Sequence, residues 1–107
     1  MTKYSFLIAD DHWLVRQGIS HTLLELADEV TITEAASYAE VISLLQNNEK
    51  FDLLLLDLSM PGMSFDDGLS EIRRISPSVP LVVVSGTDDP LTIRQLISSG
   101  AAGFIPK

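Results

Sequence analysis

Short apolar runs alternate along the chain with stretches in which apolar residues recur every three or four positions. The runs at 4–9, 52–57 and 81–85 are typical of buried strands. Those at 52–57 and 81–85, DLLLLD and LVVVS, are nearly continuous, which indicates central strands covered on both faces. Residues 30–35 alternate and are β-branched, and a short strand over 102–106 closes the chain. The pattern therefore predicts five strands.

Two helices are predicted in the first half of the chain. The first spans 12–27, where apolar residues at steps of four, four and three form one stripe, to Leu26. Ser37 and Glu40 form an S-x-x-E capping box, which opens a second helix that runs to about Gln46.

Two further helices are predicted in the second half. The third follows the loop SMPGMSFDD and buries apolar residues as far as Ile75. The fourth begins with Asp89 as the N-cap and Pro90 as its first residue, and it ends before Gly100. Because strands and helices alternate, the chain is expected to form an α/β domain, with a parallel sheet covered by helices on both faces.

Composition limits the class of protein. A length of 107 residues fits one domain, and a hydrophobic content of 46% is enough for a core. The absence of cysteine excludes disulfides and thiolate metal sites. The first apolar run is too short for a membrane span, so a soluble, cytoplasmic protein with no membrane association is expected. The net charge of −8 argues against direct nucleic-acid binding by this segment.

Polar side chains stand where the predicted strands end. Asp10 and Asp11 follow the first strand, and Asp57, Ser85 and Lys107 end the third, fourth and fifth. Ligands of open parallel sheets bind at the carboxyl ends of the strands, so these side chains should converge. Taken singly, each has an ordinary alternative as a strand-end polar residue, a cap or a terminus.

The chemistry of such a group is that of phosphoryl transfer. Three carboxylates held close together repel one another, and a divalent cation relieves the repulsion. Oxygen ligands favour a hard ion, Mg²⁺ first and Mn²⁺ as the alternative. A carboxylate can itself be the nucleophile, and a lysine and a hydroxyl can hold the phosphoryl oxygens.

Four segments, IADDHWLVRQGI, LLLLDLSMPGM, LVVVSGTDD and GAAGFIPK, resemble in order and spacing the signature blocks of response-regulator receiver domains. The first is similar to the subfamily that precedes a LuxR/NarL-type helix-turn-helix. The resemblance implies a three-layer, flavodoxin-like (βα)5 fold with a five-stranded parallel sheet in the order 2-1-3-4-5. It also implies that residues 1–107 form one receiver domain that lacks the final helix.

The resemblance implies a role for each site residue. Asp57 would accept the phosphoryl group. Asp11 and Asp57 would bind Mg²⁺ directly, Asp10 mostly through water, and the Ser59 backbone carbonyl would complete the protein ligands. Lys107 would hold the phosphoryl group.

Two more positions would form the switch, with Ser85 moving toward the phosphoryl group and Phe104 changing rotamer with it. The phosphodonor would be a histidine kinase or a phosphotransfer protein. The domain would be no enzyme beyond its own phosphorylation and dephosphorylation. It would control an output, expected to be transcription through an absent helix-turn-helix domain, and a homodimer is an expected partner.

Two departures from the family pattern stand out. The loop MSFDD between Gly62 and Gly68 is longer than usual. The chain also stops at Lys107, before the final helix, which should expose apolar surface on the last strand and the first helix. Marginal stability or non-native association is the expected consequence.

Two alternative functions stay open from sequence. A pseudo-receiver would bind partners without taking phosphate. A haloacid-dehalogenase-type phosphatase would need a second acid at position 59, where this chain has Ser59. His12 and His21 lack a Cys or His partner at ligand spacing, and both are interpreted as surface or packing residues.

Overall fold

The computed structural model describes residues 3–26, 29–47, 50–58, 60, 64–86, 89–98 and 100–106. Within them strands and helices alternate as the pattern predicts. The elements are β1 Lys3–Ala9, α1 Trp13–Leu23, β2 Glu29–Ala35, α2 Tyr38–Gln46, β3 Leu53–Asp57, α3 Phe65–Ile75, β4 Leu81–Ser85, α4 Pro90–Ser98 and β5 Gly103–Pro106.

The five strands form one parallel sheet in the order β2-β1-β3-β4-β5, which confirms the predicted topology. The order reverses between β1 and β3, where Ala9 is in register with Leu56. The residues that follow these two positions, Asp10 and Asp57, are therefore brought side by side at the carboxyl edge of the sheet.

The sheet has apolar side chains on both faces. Along β3, Leu54 and Leu56 pack into one cluster with residues of α2, α3 and α4, and Leu55 packs into the other. This alternation explains why β3 reads as a continuous apolar run. On the second face, the described helix that packs against the sheet is α1, through Ile19 and Leu23.

An apolar groove lies beside α1 on that second face. Its lining comes from α1, β3 and β5 and includes Ile19, Leu55 and Ile105. This agrees with the expectation that apolar surface is exposed on the first helix and the last strand. The expected marginal stability and association stay predictions.

Two helix bounds differ from the sequence prediction. Helix α1 ends at Leu23, whereas the prediction extended it to 27, and Leu26 is 63% exposed and so does not belong to the buried stripe. Helix α3 begins at Phe65, because the Ser64 side chain accepts a hydrogen bond from the Asp67 backbone N–H at 3.2 Å. Residues 65–67 are therefore its first turn, so the prediction that they belong to the loop was wrong.

The predicted signals at the start of α2 and after the end of α4 act as expected. Ser37 Oγ accepts the Glu40 N–H at 3.3 Å, and Glu40 returns a hydrogen bond to the backbone N–H of Ala36 at 2.7 Å. At the end of α4, Gly100 has a φ of 105°, which an L side chain rarely adopts.

Candidate functional site

Four side chains meet at the carboxyl edge of the sheet. One ligand atom from each of Asp10, Asp11, His12 and Asp57 lies within 4.8 Å of the others. Asp10 and Asp57 are each only 1% exposed, whereas Asp11 lies at the surface. The structure thus brings together the three carboxylates that the sequence placed at the strand ends.

The backbone explains this convergence. The Asp10 N–H donates to the Ala35 carbonyl at 3.0 Å, which continues the β1–β2 pairing one residue beyond the strand. Asp57 is the last residue of β3 and is in register with Val84 of β4. Ser85, the next residue, ends β4 at the same sheet edge and is 4% exposed. Burial and mutual repulsion make it costly for both inner carboxylates to carry charge without a cation.

The donor set fits a hard divalent cation. Carboxylate oxygens are the protein ligands that Mg²⁺ accepts, and it commonly binds one or two of them and keeps several waters. Asp11, on the solvent side, leaves room for those waters. Asp10, Asp11 and Asp57 therefore form a site of suitable chemistry for Mg²⁺.

His12 lies at the surface, as interpreted from the sequence, with its side chain 60% exposed. The sequence interpretation missed its contact with the acids: Nδ1 lies 3.0 Å from an Oδ1 atom of each of Asp10 and Asp11. Its backbone N–H also donates to Asp10 Oδ1 at 2.8 Å. The available signal was its place directly after two acids. His21 is also at the surface as interpreted, with its side chain 83% exposed.

Tyr38 is hydrogen-bonded to the backbone at the end of β3. It is the first residue of α2 and is fully buried, and its hydroxyl group donates to the Asp57 backbone carbonyl at 3.4 Å. Burial, and then the charge of Asp57, raises the pKa of Tyr38 well above its usual value. The phenol is therefore a neutral donor at any ordinary pH. No sequence motif marked this residue.

Arg16 holds the backbone on the other side of the acidic group. Its Nη1 donates to the Asp10 carbonyl, and its Nε donates to Glu34 Oε1 at 3.1 Å. The guanidinium group thus ties the residue after β1 to both α1 and β2. The spacing of Arg16 gave no separate signal for this contact.

The remaining predicted site residues lie on β5 or outside the described part of the chain. Phe104 is half-buried, is in register with Val83 and packs against the larger apolar cluster. Ser59 and Lys107 lie outside the described residues. Their roles, and the switch roles of Ser85 and Phe104, stay predictions.

Comparison with known proteins gives the family. A model of the response regulator receiver domain matches residues 6–107. The chain is 39% identical over 104 residues to the glycerol metabolism activator of Pseudomonas putida, which covers 97% of this chain and 47% of that protein. It is 36% identical over 107 residues to the nitrate/nitrite response regulator protein NarP of Escherichia coli K12, which covers 99% of this chain and 49% of that protein.

A solved receiver-domain structure also has the same fold. The isolated receiver domain of RcsB from Salmonella enterica serovar Typhimurium matches with a TM-score of 0.88 and 25% identity, over 99% of this chain and 78% of that one. The chain spans about half the length of the curated relatives above. No helix in the described residues is long and apolar enough to cross a membrane. The chain belongs to the response regulator receiver domain family, whose members are signalling proteins of two-component systems rather than classical enzymes.

Proposed function

We propose that this chain is a phosphorylation-dependent switch that accepts a phosphoryl group on Asp57. The observation that carries the proposal is the position of the Asp57 carboxylate. It is buried at the end of β3, and a ligand atom of this side chain lies within 4.8 Å of ligand atoms of Asp10 and Asp11. Carboxylates held this close repel one another, and a divalent cation bound between them relieves the repulsion.

The reaction is an in-line displacement at phosphorus. An Asp57 carboxylate oxygen forms the new P–O bond while the P–N bond of a donor phosphohistidine breaks, and the histidine nitrogen leaves with the electron pair. The donor is a histidine kinase or a phosphotransfer protein. A water molecule later attacks the acyl phosphate, which returns the carboxylate and inorganic phosphate.

Asp10, Asp11 and Asp57, together with the Ser59 backbone carbonyl, would hold Mg²⁺. When bound, the ion would supply positive charge that offsets the negative charge of the phosphoryl oxygens. Lys107 adds a second positive charge, and Pro106 before it in the chain is in register with Ser85.

The switch lies on the neighbouring strands. The Ser85 hydroxyl group would donate to a phosphoryl oxygen on Asp57, since both residues end adjacent strands. Phe104 is half-buried on β5, two residues before the one in register with Ser85, so its rotamer can follow a shift of that strand end. This is a two-state change driven by local charge.

The output is proposed to be transcription. The relatives include a metabolism activator and a nitrate/nitrite response regulator, and RcsB has been solved bound to a promoter. Since the chain covers about half of the curated relatives, DNA contact is assigned to a helix-turn-helix domain outside this chain. The net charge of −8 is unfavourable for contact with DNA phosphates, which supports placing DNA contact outside this chain. We further propose that the protein acts in the cytoplasm as a homodimer.

The test is intact-mass analysis after incubation with acetyl phosphate, with and without Mg²⁺. The expected result is one phosphoryl adduct that requires Mg²⁺ and is absent from Asp57→Asn. Asp67→Asn is the matched control, because Asp67 is an exposed carboxylate on α3. A folded wild-type chain that takes no adduct would contradict the proposal and favour the pseudo-receiver.

A further inference from the structure

His12 occupies the N-cap position of α1 without capping the helix. Its backbone has the extended geometry of an N-cap (φ −95°, ψ 105°), yet its side chain makes no hydrogen bond to the described first turn. Histidine is also not among the residues preferred at an N-cap. The ring lies instead against the acidic group, where Nδ1 is 3.0 Å from oxygens of Asp10 and Asp11.

The position of this nitrogen changes the donor set. One ring nitrogen of His12 lies within 4.8 Å of a ligand atom of each of the three carboxylates, so a single ion can reach nitrogen and oxygen donors together. The ring is 60% exposed, so an ion can approach it from solvent. A site made of oxygens alone would favour Mg²⁺, while an imidazole nitrogen suits Zn²⁺ and other transition ions.

We propose that the His12 imidazole is a fourth ligand of the acidic site and raises its affinity for Zn²⁺ relative to Mg²⁺. The inference rests on the proposed metal site at Asp10, Asp11 and Asp57 and adds a residue that determines metal specificity. Under this proposal, His12 contributes directly to Zn²⁺ binding and hardly at all to Mg²⁺ binding.

The test compares two variants of the whole chain. His12→Ser removes the imidazole but supplies a preferred N-cap, so its thermal midpoint should not fall. His21→Ser is the matched control, because it removes an exposed imidazole from the same helix. Affinities for Zn²⁺ and for Mg²⁺ are measured separately by isothermal titration calorimetry.

We expect His12→Ser to weaken Zn²⁺ binding by about 10-fold or more, because losing even an outer-shell partner of a metal ligand typically costs about 10- to 100-fold in affinity. Mg²⁺ binding should change by less than about 2-fold, because Mg²⁺ prefers oxygen donors. His21→Ser should alter neither. Nitrogen-15 NMR of the wild-type ring should show a Zn²⁺-dependent shift at Nδ1 of His12.

Three results would overturn the inference. They are equal weakening of Zn²⁺ and Mg²⁺ binding in His12→Ser, unchanged Zn²⁺ binding in that variant, or a wild-type Nδ1 resonance that does not shift on addition of Zn²⁺. A wild-type chain that binds Mg²⁺ while any of these holds would leave the proposed function intact and remove only the role of His12. Failure of the wild-type chain to bind Mg²⁺ would instead contradict the proposed function and this inference together.

Discussion

The close contact between Gly68 and Tyr38 gives a stability prediction that can be worked from the structure. Gly68 is a buried residue in α3, and a Cβ atom built on it would lie 2.6 Å from two ring carbons of Tyr38. Favourable carbon–carbon contacts lie at about 3.5–4.0 Å, so the shortfall is about 1 Å. Tyr38 is fully buried and donates to the Asp57 carbonyl, so its ring has little room to move.

The expected free-energy change of Gly68→Ala combines two opposing effects. Overpacking in a core costs about 1–3 kcal/mol. Replacing glycine by alanine in a helix favours folding by up to about 1 kcal/mol. Because the clash is with a ring rather than a flexible chain end, we expect a net destabilisation of about 1–2 kcal/mol. Each kcal/mol corresponds to a fall of roughly 4–8 °C in Tm.

Gly18→Ala is the matched control. Gly18 lies within α1, and a Cβ atom built there meets nothing within 4 Å. The same chemical change should therefore stabilise the protein by about 0.5–1 kcal/mol. Effects on the unfolded chain are alike in both variants, so the difference between them measures the contact with Tyr38.

The assay is urea unfolding followed by circular dichroism, with Tyr38→Leu as a second background. In that background the cost of Gly68→Ala should largely disappear, because the clashing ring is gone. If Gly68→Ala proved as stabilising as Gly18→Ala, the packing of α3 against Tyr38 described above would be wrong.

Two further predictions concern helix caps. Ser37→Ala should lower the free energy of unfolding by about 1 kcal/mol, measured by urea unfolding, because it removes the hydrogen bond to the Glu40 N–H; an unchanged midpoint would contradict the capping role. The hydrogen bond from Thr92, and then two from backbone N–H groups, lower the pKa of Asp89, so Thr92→Val should raise that pKa in an NMR pH titration. Since the pKa of Asp89 is lower in the folded state than in the unfolded chain, its cap stabilises the fold above the unfolded-state pKa, and this stabilisation is lost as the pH falls through the folded-state pKa. An unchanged Asp89 pKa in Thr92→Val would refute the hydrogen bond from Thr92 as its main cause.

Much of the sheet was predictable because its signals are local. A run such as Leu53–Asp57 is continuous because both faces of β3 are covered, and parallel strands place their carboxyl ends on one edge. Asp10 and Asp57 could therefore be placed together without knowledge of any side-chain contact.

Other features depended on contacts between distant residues. The start of α3 was missed because Ser64 caps it within a segment that resembles a loop. The role of Tyr38 required knowing that α2 packs over the end of β3, 19 residues away in sequence. The direction of the His12 ring could not be read from spacing, because an N-cap residue can turn either toward its helix or away from it.

Phosphorylation at Asp57, the basis of the proposed switch, can be tested directly at the level of the residue. The most direct measurement is borohydride reduction of the phosphorylated chain followed by peptide mass spectrometry, since reduction converts an aspartyl phosphate to homoserine. We expect homoserine at position 57 and at no other aspartate. Homoserine at Asp10 or Asp11, or a phosphoryl group retained on His12, would contradict it.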